Sequence, residues 1–450
     1  MNCQDFVFNN YNSRNSLYAI LDRRIKITSD VPVKALVQVI IKDGINRSIG
    51  DMYLAYPVKL LGSRYLIKLP KGAATTPKLI SFSALDYGQN VIGTIAKFVN
   101  GEQVSIDTFN LVSRIGGNQA IYVSDSTTDD VSYKIVANQN IVVVASTPCV
   151  DLSFSSGGIA SDSTSDCDYA AFTALPIQEY DCHSQLSGLG DVKIISTVST
   201  ALIYELPNIV DCSKSLVVYN YQSQNNFGNV DRVSVNMGKS IPLNYFNTDS
   251  FSSRSAYTQI RTTRLGGKRA KGVQTIVNAF LTNVLDMSQA ITGYTPFYNI
   301  VKGGSTLEVC GLKNLQQQYF QLNDQPISLK FIRQINMPSS FEGYTCFIII
   351  IEESGYNVFF SDQMYVAYIS GINSLNSQSS YGYAIGFSTS TLTSISIPGN
   401  LNPGGEPVNG QTISPTIESP TPLPIITTTK SSATFKFTGS LILAMLLINL

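Results

Sequence analysis

Short apolar runs rich in β-branched residues recur along the chain, and clusters of Gly, Asn, Asp and Ser separate them. The clearest runs lie at residues 33–41, 141–145, 216–219, 346–351 and 357–360. Runs of this length suit strands, and the clusters between them are typical of turns. The sequence therefore predicts a mainly β protein with one or two domains that resemble a β-sandwich or a β-barrel.

One segment departs from this pattern, because its apolar residues recur at the spacing of one face of a helix. They are Val273, Ile276, Val277, Phe280, Leu281, Val284 and Leu285. The spacing predicts one helix over residues 272–287 that packs on a sheet. Five basic residues precede this helix, and we expect them in a solvated loop: Arg261, Arg264, Lys268, Arg269 and Lys271.

The charge balance excludes one class of partner. The chain has 450 residues, with 31 Lys and Arg against 31 Asp and Glu, so it lacks the basic excess that neutralises nucleic-acid phosphates. Hydrophobic residues make up 44% of the chain, which is enough for a large core. We therefore expect a folded head and no nucleic-acid partner.

The sequence shows no catalytic constellation. His183 is the only histidine, and its neighbour Cys182 would point to the opposite face of a strand. The segment 238–240 ends like a P-loop but lacks the leading glycine, and Glu352-Glu353 has no second carboxylate tied to it. We therefore predict no enzyme activity, no cofactor and no metal.

Two groups of acids have some of the ligands that calcium prefers, but neither has EF-hand spacing. We expect all of them to be surface loop acids: Asp125, Asp129, Asp130, Asp162, Asp166 and Asp168.

The C-terminal part differs from everything before it. Seven of the 18 prolines fall in residues 398–430, among Ser, Thr and Gly, so we predict a disordered stalk over residues 393–430. Small residues at Ser431 and Ser432, a polar spacer and an apolar tail at 441–450 follow, in the order of a GPI-attachment signal. We predict that residues 431–450 are removed and that Ser431 or Ser432 carries the lipid. The alternative is an ordinary hydrophobic C-terminal element.

An exported protein needs a secretory signal, and the Asn-rich N-terminal segment 1–15 lacks the continuous apolar stretch of such a signal. The cysteines nevertheless favour an oxidising compartment, because they are spread out with no CxxC pair. Six of them are the candidate disulfide residues, and Cys3 is left over: Cys149, Cys167, Cys182, Cys212, Cys310 and Cys346. Buried reduced thiols are the alternative. In an exported chain, Asn46 is the glycosylation acceptor of an Asn-Arg-Ser sequon.

Several motifs follow one another in a fixed order along residues 16–390. They are ITSDVPV at 27–33, DMYLAYP at 51–57, LGSRY at 61–65, YKIVANQNIVVV at 133–144, CDY at 167–169 and SYGYAIG at 380–386. This set resembles the N-terminal domain of the IgGFc-binding protein family, which occurs in animal extracellular and mucus-associated proteins. Tyr169 stands where that family usually has His, and no motif here carries the binding of antibody Fc.

The resemblance implies a head in two β-rich halves, at 16–185 and 186–392, and a disulfide between Cys149 and Cys167. The other four cysteines allow three pairings, of which we favour the local pairs Cys182–Cys212 and Cys310–Cys346.

The leading functional hypothesis is a non-catalytic protein of the cell surface or extracellular matrix, held to the outer leaflet by a GPI anchor. Its β-rich head makes adhesive or barrier contacts with an extracellular protein or glycan. The alternatives are a surface-displayed glycosidase-type enzyme and a secreted soluble structural component.

Overall fold

The computed structural model describes most of the head. The described residues are 15–21, 27–30, 33–42, 48–72, 77–85, 88–112, 118–124, 131–151, 167–177, 185–186, 192–196, 198–207, 216–224, 227–235, 241–244, 250–254, 260–269, 276–337, 343–372, 380–388 and 394–395.

These residues form a series of strands, all of which pair antiparallel. The strands are β1 Ser16–Leu21, β2 Ala35–Lys42, β3 Ser48–Ala55, β4 Gly62–Lys68, β5 Lys78–Ala84, β6 Asn90–Val99, β7 Glu102–Val112, β8 Asn118–Ser124, β9 Val131–Asp151, β10 Cys167–Thr173, β11 Gln185–Leu186, β12 Val192–Ser196, β13 Thr200–Pro207, β14 Leu216–Gln224, β15 Phe227–Val235, β16 Ile241–Asn244, β17 Ser250–Arg254, β18 Ile260–Arg269, β19 Ile276–Asn283, β20 Ile291–Asn299, β21 Ser305–Leu312, β22 Gln321–Leu322, β23 Gln325–Pro326, β24 Ile332–Asn336, β25 Tyr344–Ile351, β26 Gly355–Ile372, β27 Ser380–Gly386 and β28 Ser394–Ile395. Short 3-10 helices lie at Val58–Leu60, Met287–Gln289, Gln317–Tyr319 and Leu329–Phe331.

The mainly β prediction is confirmed, and the predicted helix at 272–287 is wrong. Residues 276–283 form β19, and the described part of the chain contains no helix of seven residues or more. Both faces of β19 are buried, so Ala279, Phe280 and Leu281 are all apolar in succession. A strand that is covered on both sides loses its polar–apolar alternation, and a run of this kind is easily mistaken for a helical stripe.

A long bent strand organises the first half of the head. The first part of β9 pairs with β4 and β6, and its second part pairs with β5 and β10. The strand therefore belongs to two layers in turn. Side chains from both layers, such as Tyr65, Phe82 and Ile135, share one buried core. We call β1–β10 the first unit.

The second half repeats this arrangement. The first part of β26 pairs with β20 and β22, and its second part pairs with β21 and β27. Ile141 of β9 pairs with both β4 and β5 at the bend, and Tyr365 of β26 pairs with both β20 and β21. We call β18–β27 the second unit; strands β11–β17 lie between the two units in the chain.

The correspondence extends to strands at the start of each unit. In both, a hairpin (β2–β3 or β18–β19) and a single turn of 3-10 helix precede the strand that pairs with the long one. A cross-strand pair also corresponds. In the first unit, Ser83 and Gln119 follow the register pair of Phe82 with Ala120, and Ser83 Oγ donates to Gln119 Oε1 over 3.0 Å. In the second unit, the equivalent positions are Cys310 and Cys346, which form a disulfide. The head is therefore built from two topologically equivalent sandwiches.

The two units exchange a strand reciprocally. Met52 and Leu54 of β3 pack in the core of the second unit, with Phe359 and Tyr383. Ala279 and Leu281 of β19, the equivalent strand, pack in the core of the first unit. As a result β3, β10, β19 and β27 meet at the centre of the head.

Candidate functional site

Three of the sequence motifs meet at this central junction. Asp51 of the DMYLAYP motif lies on β3, Asp168 of CDY lies on β10, and Ser380 of SYGYAIG begins β27. The fourth strand of the junction, β19, belongs to none of the motifs. The two aspartates are 2% and 0% exposed, so both carboxyls are removed from solvent.

The Asp51 carboxylate joins three strands through backbone hydrogen bonds. Its Oδ1 accepts from the neighbouring N–H of Met52 over 2.7 Å. Its Oδ2 accepts from Ala171 N of β10 over 3.0 Å and from Leu281 N of β19 over 3.1 Å.

Asp168 joins all four strands. Its Oδ1 accepts from Tyr169 N over 2.8 Å and from Gly50 N of β3 over 3.0 Å. Its Oδ2 accepts from Ala279 N of β19 over 2.9 Å and from Ser380 N of β27 over 3.3 Å. Asp168 is therefore not the surface loop acid that the sequence predicted. A calcium ligand is equally excluded for this side chain, since both oxygens are engaged by backbone donors.

The electrostatics of the junction oppose two charges. Burial raises the pKa of both carboxyls well above its ordinary value, and the backbone hydrogen bonds lower it part of the way. The charge of Asp168 raises the pKa of Asp51 further. Within the described head, neither carboxylate forms an ion pair with Lys or Arg. The arrangement suits an architectural role, because the aspartates supply acceptors to N–H groups at strand edges that meet without a shared ladder.

A second buried group of charges lies within the second unit and at its contact with β12. Arg264 on β18 donates to Glu308 of β21 over 2.7 Å, and the guanidinium lies 5.8 Å from the ring centre of Tyr368. Lys193 and Asp286 pair over 3.2 Å, and both are fully buried. The predicted solvated basic loop is therefore wrong. Arg261 and Arg264 are buried on β18, and residues 268–269 lie on the same strand. Charges this deep persist only with partners, and no sequence spacing shows those partners.

The described residues contain one group of side chains with metal-ligand types, and its chemistry argues against an ion. Glu308, Cys310 and Cys346 have ligand atoms within 4.8 Å of one another. The two sulfurs are bonded to each other, so they offer no thiolate. The favoured local pairing of Cys310 with Cys346 is confirmed, and these residues face each other directly on β21 and β25.

The other predicted site residues lie only in part within the described head. Cys149 lies on β9 and is disulfide-bonded. Cys167 begins β10, and its pairing with Cys149 stays a prediction. Five predicted site residues lie outside the described residues: Asn46, Cys182, Cys212, Ser431 and Ser432. His183, the segment 238–240 and most of the acids considered for calcium lie outside them too.

The adjacent acids at 352–353 lie at a strand turn. Glu352 and Glu353 are exposed between β25 and β26.

Residues 394–395, at the start of the predicted stalk, form β28, which pairs with β11. The rest of the predicted stalk and the anchor signal lie beyond the described residues. None of the described helices is long and apolar enough to span a membrane.

Asp51 belongs to a sequence motif, but the motif by itself does not indicate the role of this residue. One signal was available: an acid placed between Gly50 and Met52 inside a strand of apolar residues needs buried donors.

The chain matches no protein-family model, and no curated protein sequence matches it.

Proposed function

We propose that the chain is a non-catalytic protein of the cell surface that makes adhesive or barrier contacts through its β-rich head. The observation that carries this proposal is the central junction. Residues of three motifs form hydrogen bonds that join strands, in which the carboxylates of Asp51 and Asp168 accept from backbone N–H groups. Motifs used in this way favour a rigid scaffold that presents surface.

Two further observations support an extracellular setting. The disulfide Cys310–Cys346 is of a kind that persists in oxidising compartments. The Pro/Thr-rich sequence at 393–430 and the small residues Ser431 and Ser432 before an apolar tail favour a stalk and a GPI anchor. The resemblance to the IgGFc-binding protein family agrees with this setting.

The anchor is tested on cells that make the full chain. Treatment with a phospholipase that cleaves GPI anchors releases the protein into the medium, and mass spectrometry finds a C-terminal peptide that ends at Ser431 or Ser432 and carries ethanolamine. A variant that stops at residue 430 is the control, and it appears in the medium without treatment. An intact peptide that ends in Asn449-Leu450 would contradict the anchor.

Contact formation is tested on the same cells. Cells that display the protein adhere to mucus or matrix coatings more strongly than cells treated with the phospholipase. The truncated chain, added in solution, competes for the same coatings. Equal adhesion with and without the protein would refute the proposed function.

A further inference from the structure

The outer face of one layer of the second unit is apolar and aromatic, with two exposed rings among half-buried side chains. Three register pairs of β20 and β26 place their side chains there: Tyr294 with Phe360, Pro296 with Val358, and Tyr298 with Tyr356. The alternate residues of the same strands, such as Phe297 and Phe359, point into the core. Tyr356 is 70% exposed and Tyr294 is 61% exposed. We call the six outer side chains the aromatic face.

Two of the rings on this face pack against each other. Tyr294 and Phe360 have ring centres 4.5 Å apart with a tilt of 40°. The pair of Tyr298 and Tyr356 lies four residues further along the strands, or about 14 Å away at the usual rise per residue. Aromatic residues therefore lie at both ends of this face.

In the first unit, the corresponding face is covered by other residues. This type of sandwich therefore does not require the face to be exposed. On β4, the equivalent of β20, Leu66 is 4% exposed and Lys68 is 1% exposed. Leu66 packs with Ile177 and Leu206, and Lys68 Nζ lies 5.3 Å from the ring centre of Tyr204 on β13. No described residue covers Tyr294 or Tyr356 in this way.

The charge of the aromatic face selects the chemistry of its partner. The strands β20, β22 and β23 carry no charged residue, and the first part of β26, up to the bend, carries only Asp362. A phosphate-rich or sulfated partner needs available Lys or Arg side chains, and the ammonium of Lys34 at the edge of β20 already donates to the backbone oxygens of Pro296 and Ile385. The amide residue Gln321 lies at the edge and pairs in register with Phe360. The neighbouring amide of Asn323 is already used, because its Oδ1 accepts from Val358 N and its Nδ2 donates to Asn357 Oδ1.

The size of the face argues against a second copy of the chain. Two strands over this length cover on the order of 150 Å², whereas a stable protein interface buries about 800 Å² on each partner. A neutral sugar chain fits both the size and the chemistry. The C–H groups on one side of a pyranose ring stack on the electron-rich face of an aromatic ring, and its hydroxyl groups bond to amides.

We propose that the aromatic face binds a neutral polysaccharide, whose pyranose rings stack on Tyr294, Phe360 and Tyr356. This inference names a partner class for the contact-making head, and it rests on the proposed function. Tyr294 and Tyr356 are the principal contact residues, because they are the most exposed rings of the aromatic face.

Affinity electrophoresis of the purified full chain in gels that contain soluble mannan, hydroxyethyl cellulose or glycol chitin tests the proposal, with heparin as the polyanion comparison. We expect retardation by at least one neutral polymer and none by heparin. Tyr294→Ala and Tyr356→Ala each weaken binding about three- to tenfold, as expected for the loss of one stacked ring. Tyr356→Phe keeps the ring and keeps binding within about twofold by the same reasoning.

Ile106→Ala is the matched control, because Ile106 is a 58% exposed strand residue of the first unit. It leaves retardation unchanged. All four variants keep the melting temperature of the parent, since the altered side chains are exposed.

Three results would overturn the inference: no retardation by any neutral polymer, retardation by heparin alone, or retardation that survives the Tyr294→Ala, Tyr356→Ala double variant. A dimer in sedimentation that this double variant abolishes would also overturn it, in favour of a second copy. The proposed function is judged separately. If cells that display the double variant adhere as well as cells that display the parent, only the polysaccharide site is refuted. If the chain binds the polymer but never reaches the cell surface, only the proposed function is refuted.

Discussion

Replacing Asp168 by Asn should destabilise the head more than replacing Asp51 by Asn. An amide offers one oxygen acceptor and one NH2 donor in place of two acceptors. Each oxygen of Asp168 accepts two backbone N–H groups, so either orientation of the amide sets its NH2 against two buried donors. Asp51 differs, because its Oδ1 accepts only from Met52 N.

The magnitude follows from the number of N–H groups left unpaired. At about 1–3 kcal/mol for each buried group, Asp168→Asn costs about 2–6 kcal/mol. Asp51→Asn can keep its oxygen toward Ala171 and Leu281 and lose one local bond, at about 1–3 kcal/mol. Burial raises the pKa of both carboxyls, so the electrostatic effect of placing a neutral amide at either position largely cancels in the comparison.

The assay is urea unfolding of the full chain, followed by far-ultraviolet circular dichroism because the chain has no Trp. Asp324→Asn is the control, since Asp324 lies in an exposed turn with a positive φ of 63° that Asn also adopts. We expect that control within about 0.5 kcal/mol of the parent. Equal costs at the two buried sites, or a larger cost for Asp51→Asn, would refute the hydrogen-bond account of the junction.

Three further predictions concern stability. Because burial raises the pKa of both junction carboxyls, the folded state binds protons more tightly than the unfolded state. The free energy of unfolding should therefore fall as the pH rises from about 4. Urea titrations from pH 4 to 8 measure it, and a rise in this free energy would contradict the prediction. The Cys310→Ser, Cys346→Ser double variant should lose about 4 kcal/mol in the chain-entropy account of a loop with a sequence separation of 36, measured as a lower urea midpoint than that of the unreduced parent. Gly382→Ala should cost about 1–3 kcal/mol, because the added Cβ meets the ring of Phe280, whereas Gly343→Ala meets nothing and should cost far less by thermal melting.

The local elements could be predicted because their signals are local. The apolar run at 33–41 became β2, and the run at 346–351 lies in β25. Side-chain shape and turn residues decide such segments within a few positions. The local pairing of Cys310 with Cys346 followed from proximity in the chain for a similar reason.

The errors share one cause. The segment around β19 looked helical because the strand is covered on both faces. Ala279 and Leu281 pack in the core of the first unit, and the ring of Phe280 lies against Gly382 of β27. Arg264 looked like part of a solvated loop because its partner Glu308 is 44 residues away. Neither burial nor a partner at such distance leaves a periodic trace in the sequence.

The sequence by itself determined that this is a β protein, where many of its strands lie, and which motif residues stand together in order. Only the tertiary structure decided that β3 and β19 exchange places between two equivalent sandwiches. The hydrogen bond from Leu281 N to Asp51 spans 230 residues. Such contacts are specified by which backbone donors remain unpaired once the strands have packed, and that set does not exist until both units have formed.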